Sequence, residues 1–275
     1  MPCSLGFIGC GNMARALLNG IRDGDTGMVR DVLCCDALAD KAVDFAARYG
    51  AQATSLDEVL SVADYVVLAV KPQQSIDVLK RMAASRRRTG QKLISLAAGL
   101  SCATIEQILG SVPVVRVMPN TPALKGKGMA GICAGHYAGE DEVLFATSLL
   151  DMVGKTVVID EAMMDALTAV SGSGPAYYFL IAEAMIEAAA GLGFEAGAAR
   201  ELVLQVMRGS LAMLEDGTDS PALLREKVSS PGGTTLAALH VLEHYDLRKA
   251  IEQAIKAAAS RSQEIALELS ADAGS

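Results

Sequence analysis

Seven short apolar runs punctuate residues 1–160 of this chain: Leu5–Gly9, Val32–Cys35, Tyr65–Val70, Lys92–Ala97, Val114–Met118, Gly131–Ala134 and Thr156–Ile159. Each is a continuous stretch dominated by Val, Ile, Leu, Cys and Ala, not an alternating one. Continuous runs are what strands need when both faces of their sheet are covered. Helical patterns fill the gaps, and Ser55-Leu56-Asp57-Glu58 has capping-box spacing for a helix ending near Val62. Strands alternating with helices predict an α/β fold with a doubly wound, mostly parallel sheet.

After Asp160 the texture changes. Segments rich in Ala, Leu, Met and Glu follow one another at Ala176–Leu192, Ala196–Glu215, Pro221–Val228, Thr235–His244 and Leu247–Leu269. Ser220-Pro221 supplies an N-cap with proline in the first turn, and Asp246 stands where the last helix would be capped. No repeat or low-complexity linker separates the halves. The chain of 275 residues therefore reads as two domains, 1–162 and 163–275, the second all-helical. Residues 271–275 read as a frayed tail.

Composition narrows the function classes. Hydrophobic residues make up 51% and charged residues 20%, enough for a sizeable core. A net charge of -8 with 4% aromatics is poor equipment for nucleic acid, which is held through phosphates and stacking. The basic run Arg86-Arg87-Arg88 reads as a solvated helix end. The longest uncharged stretch, 166–182, is broken by Ser171-Gly172-Ser173-Gly174-Pro175, so no membrane span is expected. No signal peptide is read at the N-terminus. The six cysteines lack Cys-x-x-Cys spacing and read as reduced, buried residues of a cytoplasmic protein. His240 and His244 lie four apart without a third ligand, so no metal is expected.

The first predicted strand runs into Gly9-Cys10-Gly11-Asn12-Met13-Ala14, a G-x-G-x-x-A pattern that opens a helix. Gly9 allows the tight turn, Gly11 a close approach to a pyrophosphate, and Ala14 tight helix–strand packing. The helix start offers N–H groups to phosphates. Asp36, ending the second strand, suits ribose hydroxyls but also suits a turn or a cap. Val70-Lys71-Pro72, Ala97-Ala98-Gly99 and Met118–Pro122 end later strands, where open sheets bind ligands. Two glycine-rich segments, Ser171–Tyr177 and Ser229–Thr235, each lead into a helix. They serve either as interhelical turns or as nests for a small anion such as a carboxylate.

These stretches, in this order and spanning nearly the whole chain, resemble the Δ1-pyrroline-5-carboxylate reductases of proline biosynthesis. Ser-Pro-Gly-Gly-Thr-Thr after a helical segment is the most specific of them. The resemblance implies an N-terminal Rossmann-like domain followed by an all-α dimerisation domain, in a homodimer or a ring of dimers. It also implies NADH- or NADPH-dependent reduction of a cyclic imino acid to L-proline. Cofactor contacts are implied at Ile8, Gly9, Cys10, Gly11, Asn12, Met13, Asp36, Asp57, Ala69, Val70, Lys71, Pro72, Ala97, Ala98 and Gly99. Ser230, Thr234 and Thr235 would hold the substrate, with Glu161 as an acid near it. The family commonly carries a small polar or basic residue at the Asp36 position. An aspartate there predicts that NADH serves at least as well as NADPH. Two other readings stand beside this one: a β-hydroxyacid dehydrogenase-like reductase, which needs a lysine base after residue 160, and a non-catalytic dinucleotide sensor.

Overall fold

The computed structural model describes residues 2–24 and 27–274. These form two compact units, residues 1–173 with 257–275, and residues 174–256. The helical residues 161–173 and the described residues from 257 to 274 thus pack with the sheet.

The sheet of the first unit has eight strands: β1 (Cys3–Ile8), β2 (Val29–Cys35), β3 (Gln52–Ala53), β4 (Tyr65–Leu68), β5 (Lys92–Ser95), β6 (Val114–Met118), β7 (Gly128–Ala134) and β8 (Gly154–Val158). All seven apolar runs are strands. β3 is the addition, two residues beside β2. The spatial order is β3-β2-β1-β4-β5-β6-β7-β8, parallel throughout except where β7 pairs antiparallel with β6. The order reverses between β1 and β4, which makes the carboxyl ends of those strands the place for a ligand.

Helices α1 (Asn12–Gly24), α2 (Ala39–Tyr49), α3 (Leu56–Val62), α4 (Pro72–Ala84), α5 (Cys102–Leu109) and α6 (Glu140–Asp151) link the strands. Leu17 of α1, Phe45 of α2 and Leu149 of α6 pack with Phe7 and Ile94 on one face. Leu60 of α3, Leu79 of α4 and Ile105 of α5 pack with Val66 and Leu93 on the other. Every central strand is therefore buried on both sides, which is why its sequence does not alternate. Ser55 caps α3 by accepting from the Glu58 N–H, and Ser101 caps α5 by accepting from the Thr104 N–H.

Beyond β8 come α7 (Met164–Leu167), a π-helical turn over Thr168–Gly172, and α8 (Gly174–Gly191), α9 (Ala196–Glu215), α10 (Pro221–Lys227), α11 (Thr234–His244) and α12 (Leu247–Ala273). The expected frayed tail is helical through Ala273. Leu269 is buried against the second face of the sheet, and Lys80 Nζ donates to the Asp272 carbonyl at 3.2 Å. Residues 271–273 are held because α12 lands on α4; Ser275 lies outside the described residues. Asp246 precedes α12 with φ +51, and its N–H donates to the Glu243 carbonyl.

The arginine run departs from the solvated helix end expected of it. Arg87 Nη2 donates to the Leu109 carbonyl at 2.6 Å, and its partial burial lowers its pKa. Arg88 Nη1 donates to the Val62 carbonyl at 2.9 Å and pairs with Asp64 at 2.8 Å. The run ties the ends of α3 and α5 together because it follows the last turn of α4, beside them.

Gly128 of β7 and Gly154 of β8 pair across the ladder. A Cβ on residue 154 would stand 2.1 Å from the Gly128 carbonyl oxygen, a backbone atom with no room to yield. Gly154→Ala is expected to lower stability by about 1–3 kcal/mol, as overpacking does. Chemical denaturation followed by circular dichroism measures it, and an unchanged midpoint would show that this edge of the sheet gives way.

Candidate functional site

The turn leaving β1 is fixed by its neighbours. Gly9 N–H donates to the Cys35 carbonyl and Ala69 N–H to the Ile8 carbonyl, both at 2.8 Å, locking together the ends of β2, β1 and β4. Gly9 has φ +97, and a Cβ there would meet the Ala69 carbonyl oxygen at 2.7 Å. Only glycine fits. The first helical bond of α1 runs from Arg15 N–H to the Gly11 carbonyl at 3.0 Å. The N–H groups of Asn12, Met13 and Ala14 therefore have no partner within the helix. Ala14 is fully buried, and a Cβ on Gly11 would find nothing nearer than Ala69 O at 3.9 Å. An open cradle over unpaired N–H groups at a helix start fits a dinucleotide pyrophosphate.

Asp36 stands one residue past β2, and its carboxylate is already engaged. Oδ2 accepts from Cys10 N–H at 2.8 Å and from Lys41 Nζ at 3.1 Å, while Oδ1 accepts from Leu38 N–H at 3.1 Å. Burial alone would raise its pKa. The two backbone N–H groups and Lys41 outweigh burial and hold the carboxyl below its ordinary value. Asp36 is thus a brace for the glycine turn, a role invisible to motif spacing. The in-register pairing of Ile8 with Cys35 places the residue after β2 beside the turn after β1.

The other expected cofactor positions lie along the same edge. Ala69 and Val70 follow β4 half-buried, Lys71 is exposed at the N-cap of α4, and Pro72 opens that helix. Ala97 is buried beyond β5 and Ala98 half-buried; Gly99, with φ +75, lies against Ile265 of α12. Asp57 is exposed in the first turn of α3. The sheet order brings the ends of β2, β1, β4 and β5 side by side, uniting residues far apart in sequence.

Glu161 is a strut within this unit. Its Oε1 accepts from Cys102 N–H at 2.8 Å and from Arg116 Nη1 at 3.0 Å. Arg116 is buried in mid-β6, opposite Cys133. The Cys102, Cys133 and Glu161 ligand atoms lie within 4.8 Å of one another, but the carboxylate already neutralises a guanidinium.

The first of the two glycine-rich segments is largely helical. Residues 168–172 continue the helix as a π-turn, closed by Ser173 N–H on the Thr168 carbonyl at 2.9 Å. Ser171 Oγ donates to the Met129 carbonyl, and Asn120 Nδ2 donates to the Ser171 carbonyl at 3.0 Å. A Ser/Gly-rich stretch stays helical because Asn120, from the β6 exit, meets its backbone needs.

In the second unit, Ser229–Thr235 is a true turn. Gly233 N–H donates to the Ser230 carbonyl at 3.0 Å, Gly232 has φ +71, and α11 starts at Thr234. No side chain caps that helix. Ser230 and Thr234 are exposed and Thr235 half-buried, so hydroxyls and unbonded N–H groups share one short entry.

If Asp36 braces the turn, Asp36→Ala should weaken binding of NADH by about 1–3 kcal/mol for a buried N–H left unpaired. Fluorescence titration of the reduced dinucleotide measures it, and undiminished affinity would remove the brace.

A model of the pyrroline-5-carboxylate reductase dimerisation region matches residues 161–265, and one of the coenzyme F420-dependent NADP oxidoreductases matches residues 4–99. The pyrroline-5-carboxylate reductase of Haemophilus influenzae is 43% identical over 270 residues, covering 95% of this chain and 97% of that protein. That of Pseudomonas aeruginosa is 39% identical over 268 residues, covering 96% and 97%. Among solved structures, the reductase of Coxiella burnetii superposes with a TM-score of 0.86 at 36% identity, over 96% of this chain and 99% of that one. The Plasmodium falciparum reductase, solved with NADP bound, gives 0.86 at 29% identity, over 96% and 98%. With the glycine turn, the strand order and the helical region all in agreement, this chain belongs to the pyrroline-5-carboxylate reductase family.

Proposed function

We propose that the chain reduces the C=N bond of Δ1-pyrroline-5-carboxylate to give L-proline, with NAD(P)H as reductant. The observation that carries this reading is the open Gly9–Gly11 cradle at the switch point, within a chain related to reductases over nearly its full length. The bound dinucleotide supplies a hydride. The protein supplies alignment, since a protonated imine is already electrophilic.

In this reading Ile8–Met13, Ala69–Pro72 and Ala97–Gly99 line the cofactor, with Asp36 bracing the turn and Asp57 at the same edge. The N–H groups of the 230–235 turn take the substrate carboxylate, helped by the hydroxyls of Ser230 and Thr234, and the Thr235 hydroxyl takes the ring nitrogen. Glu161 acts at one remove, holding the start of α5 just after the Ala97–Gly99 turn. No histidine is needed. The hydroxyacid dehydrogenase alternative needs a lysine base in the helical region, but Lys227 pairs with Asp219, Lys256 pairs with Glu252, and Lys249 is exposed on α12 outside any motif.

The helical region matches a dimerisation model, and the chain forms homo-oligomers through it. α8 is apolar apart from Glu183 and Glu187, yet Tyr178, Phe179 and Leu180 are each 65% or more exposed. Such a helix belongs in a core, and a second copy of the chain provides one. The reading takes the homodimer as the unit, with a ring of dimers as the larger form. No described helix is long and apolar enough to cross a membrane. Five buried free cysteines suit the reducing cytoplasm.

Thr235→Ala is expected to lower kcat/KM for pyrroline-5-carboxylate by about 1–3 kcal/mol, the scale of one unmade hydrogen bond, while NAD(P)H affinity holds. Steady-state kinetics with wild-type values would remove Thr235 from the site. Sedimentation at micromolar concentration should show no monomer; a stable, active monomer would contradict the assembly.

A further inference from the structure

A carboxylate at the end of the second strand ordinarily accepts ribose hydroxyls and repels a 2′-phosphate. Here the geometry alters that balance. A carboxylate has about four acceptor positions, and three on Asp36 are filled by Cys10 N–H, Leu38 N–H and Lys41 Nζ. Its charge is matched by the Lys41 ammonium at 3.1 Å. The Asp36 side chain is 10% exposed and the Lys41 side chain 37%. The pair therefore turns its cation, not its anion, toward solvent.

We propose that Lys41 is a specificity-determining residue, the group that admits the 2′-phosphate of NADPH. The inference rests on the dinucleotide reading of the Gly9–Gly11 turn. Lys41 lies in the first turn of α2, straight after the β2 end where the adenosine ribose belongs. Its ammonium is a compact charge on a flexible stem, able to move from one anion to another. On leaving Asp36 the ammonium exchanges one anion for another, and two backbone N–H groups still hold the carboxylate in place. A 2′-phosphate carries more charge than the carboxylate and so draws the ammonium away. Asp40, exposed on the same turn, is the like charge that Lys41 must offset. With a ribose hydroxyl in place of the phosphate, Lys41 stays on Asp36 and NADH is still accepted. On this reading the site is open to both cofactors.

The test is calorimetric binding of ADP-ribose and 2′-phospho-ADP-ribose, which carry the adenosine end without the nicotinamide. It compares wild type with Lys41→Met, which keeps most of the stem, and with Lys41→Arg; thermal unfolding confirms that each variant is folded. In Lys41→Met the affinity ratio of the phosphorylated to the unphosphorylated ligand should fall at least tenfold. Lys41→Arg should recover most of that ratio, and in wild type the ratio should shrink as salt rises. An unchanged ratio in Lys41→Met, with both ligands still bound, overturns the role of Lys41 and leaves the dinucleotide site standing. Failure of wild type to bind either ligand overturns the dinucleotide reading together with the inference.

Discussion

The backbone of β4 passes so near the end of β1 that a side chain on residue 9 would collide with the Ala69 carbonyl. Much else follows from that contact. It forces a turn with positive φ, and the turn releases the chain into α1 with its first N–H groups facing outward. Strand order reverses at this point, so the helices that follow β1 and β4 pack on opposite faces of the sheet instead of covering the turn. Close packing below and open space above are two sides of one steric constraint, and a polyanion can approach the backbone only because both hold.

Charge in this molecule is spent on bracing. Asp36 joins β2 to the glycine turn, Glu161 joins β6 to α5, and Asp64 joins Arg88 to the start of β1 through Ser4. In each case a carboxylate bonds to a backbone N–H as well as to a cation. A carboxylate with only a surface cation adds little; one that also meets an otherwise unpaired buried N–H removes a desolvation penalty. These braces lie at strand ends and helix starts, where backbone groups run out of regular partners.

Most of the framework was legible in the sequence because local signals agreed with the fold. The seven apolar runs became strands, and Ser55 and Ser220 cap the helices they introduce. β3 escaped notice since two residues including Gln52 carry no hydrophobic pattern. The Ser171–Gly172 stretch looked like a loop by composition, and stayed helical through Asn120, a partner about fifty residues away. The glycine turn could be read, but not that Asp36 was occupied holding it, because that bond depends on the register of two strands. Glu161 was singled out with no sign of its partner Arg116, which motif spacing does not reveal.

The last helix carries a consequence for how the chain is made. Residues 257–275 belong to the same compact unit as residues 1–173, with Leu269 filling the second face of the sheet and Ser262 donating to Asp165 at 2.6 Å. A ribosome that has finished residue 173 still has 83 residues (256 − 173) to add before the second part of this unit begins, which takes roughly 4–17 s. Through that interval the sheet exists with one patch of its surface bare. The dinucleotide unit, first to be synthesised, is therefore last to be completed. Its closure waits on the later turns of α12, so a chain lacking them leaves the defect in the half that was already made.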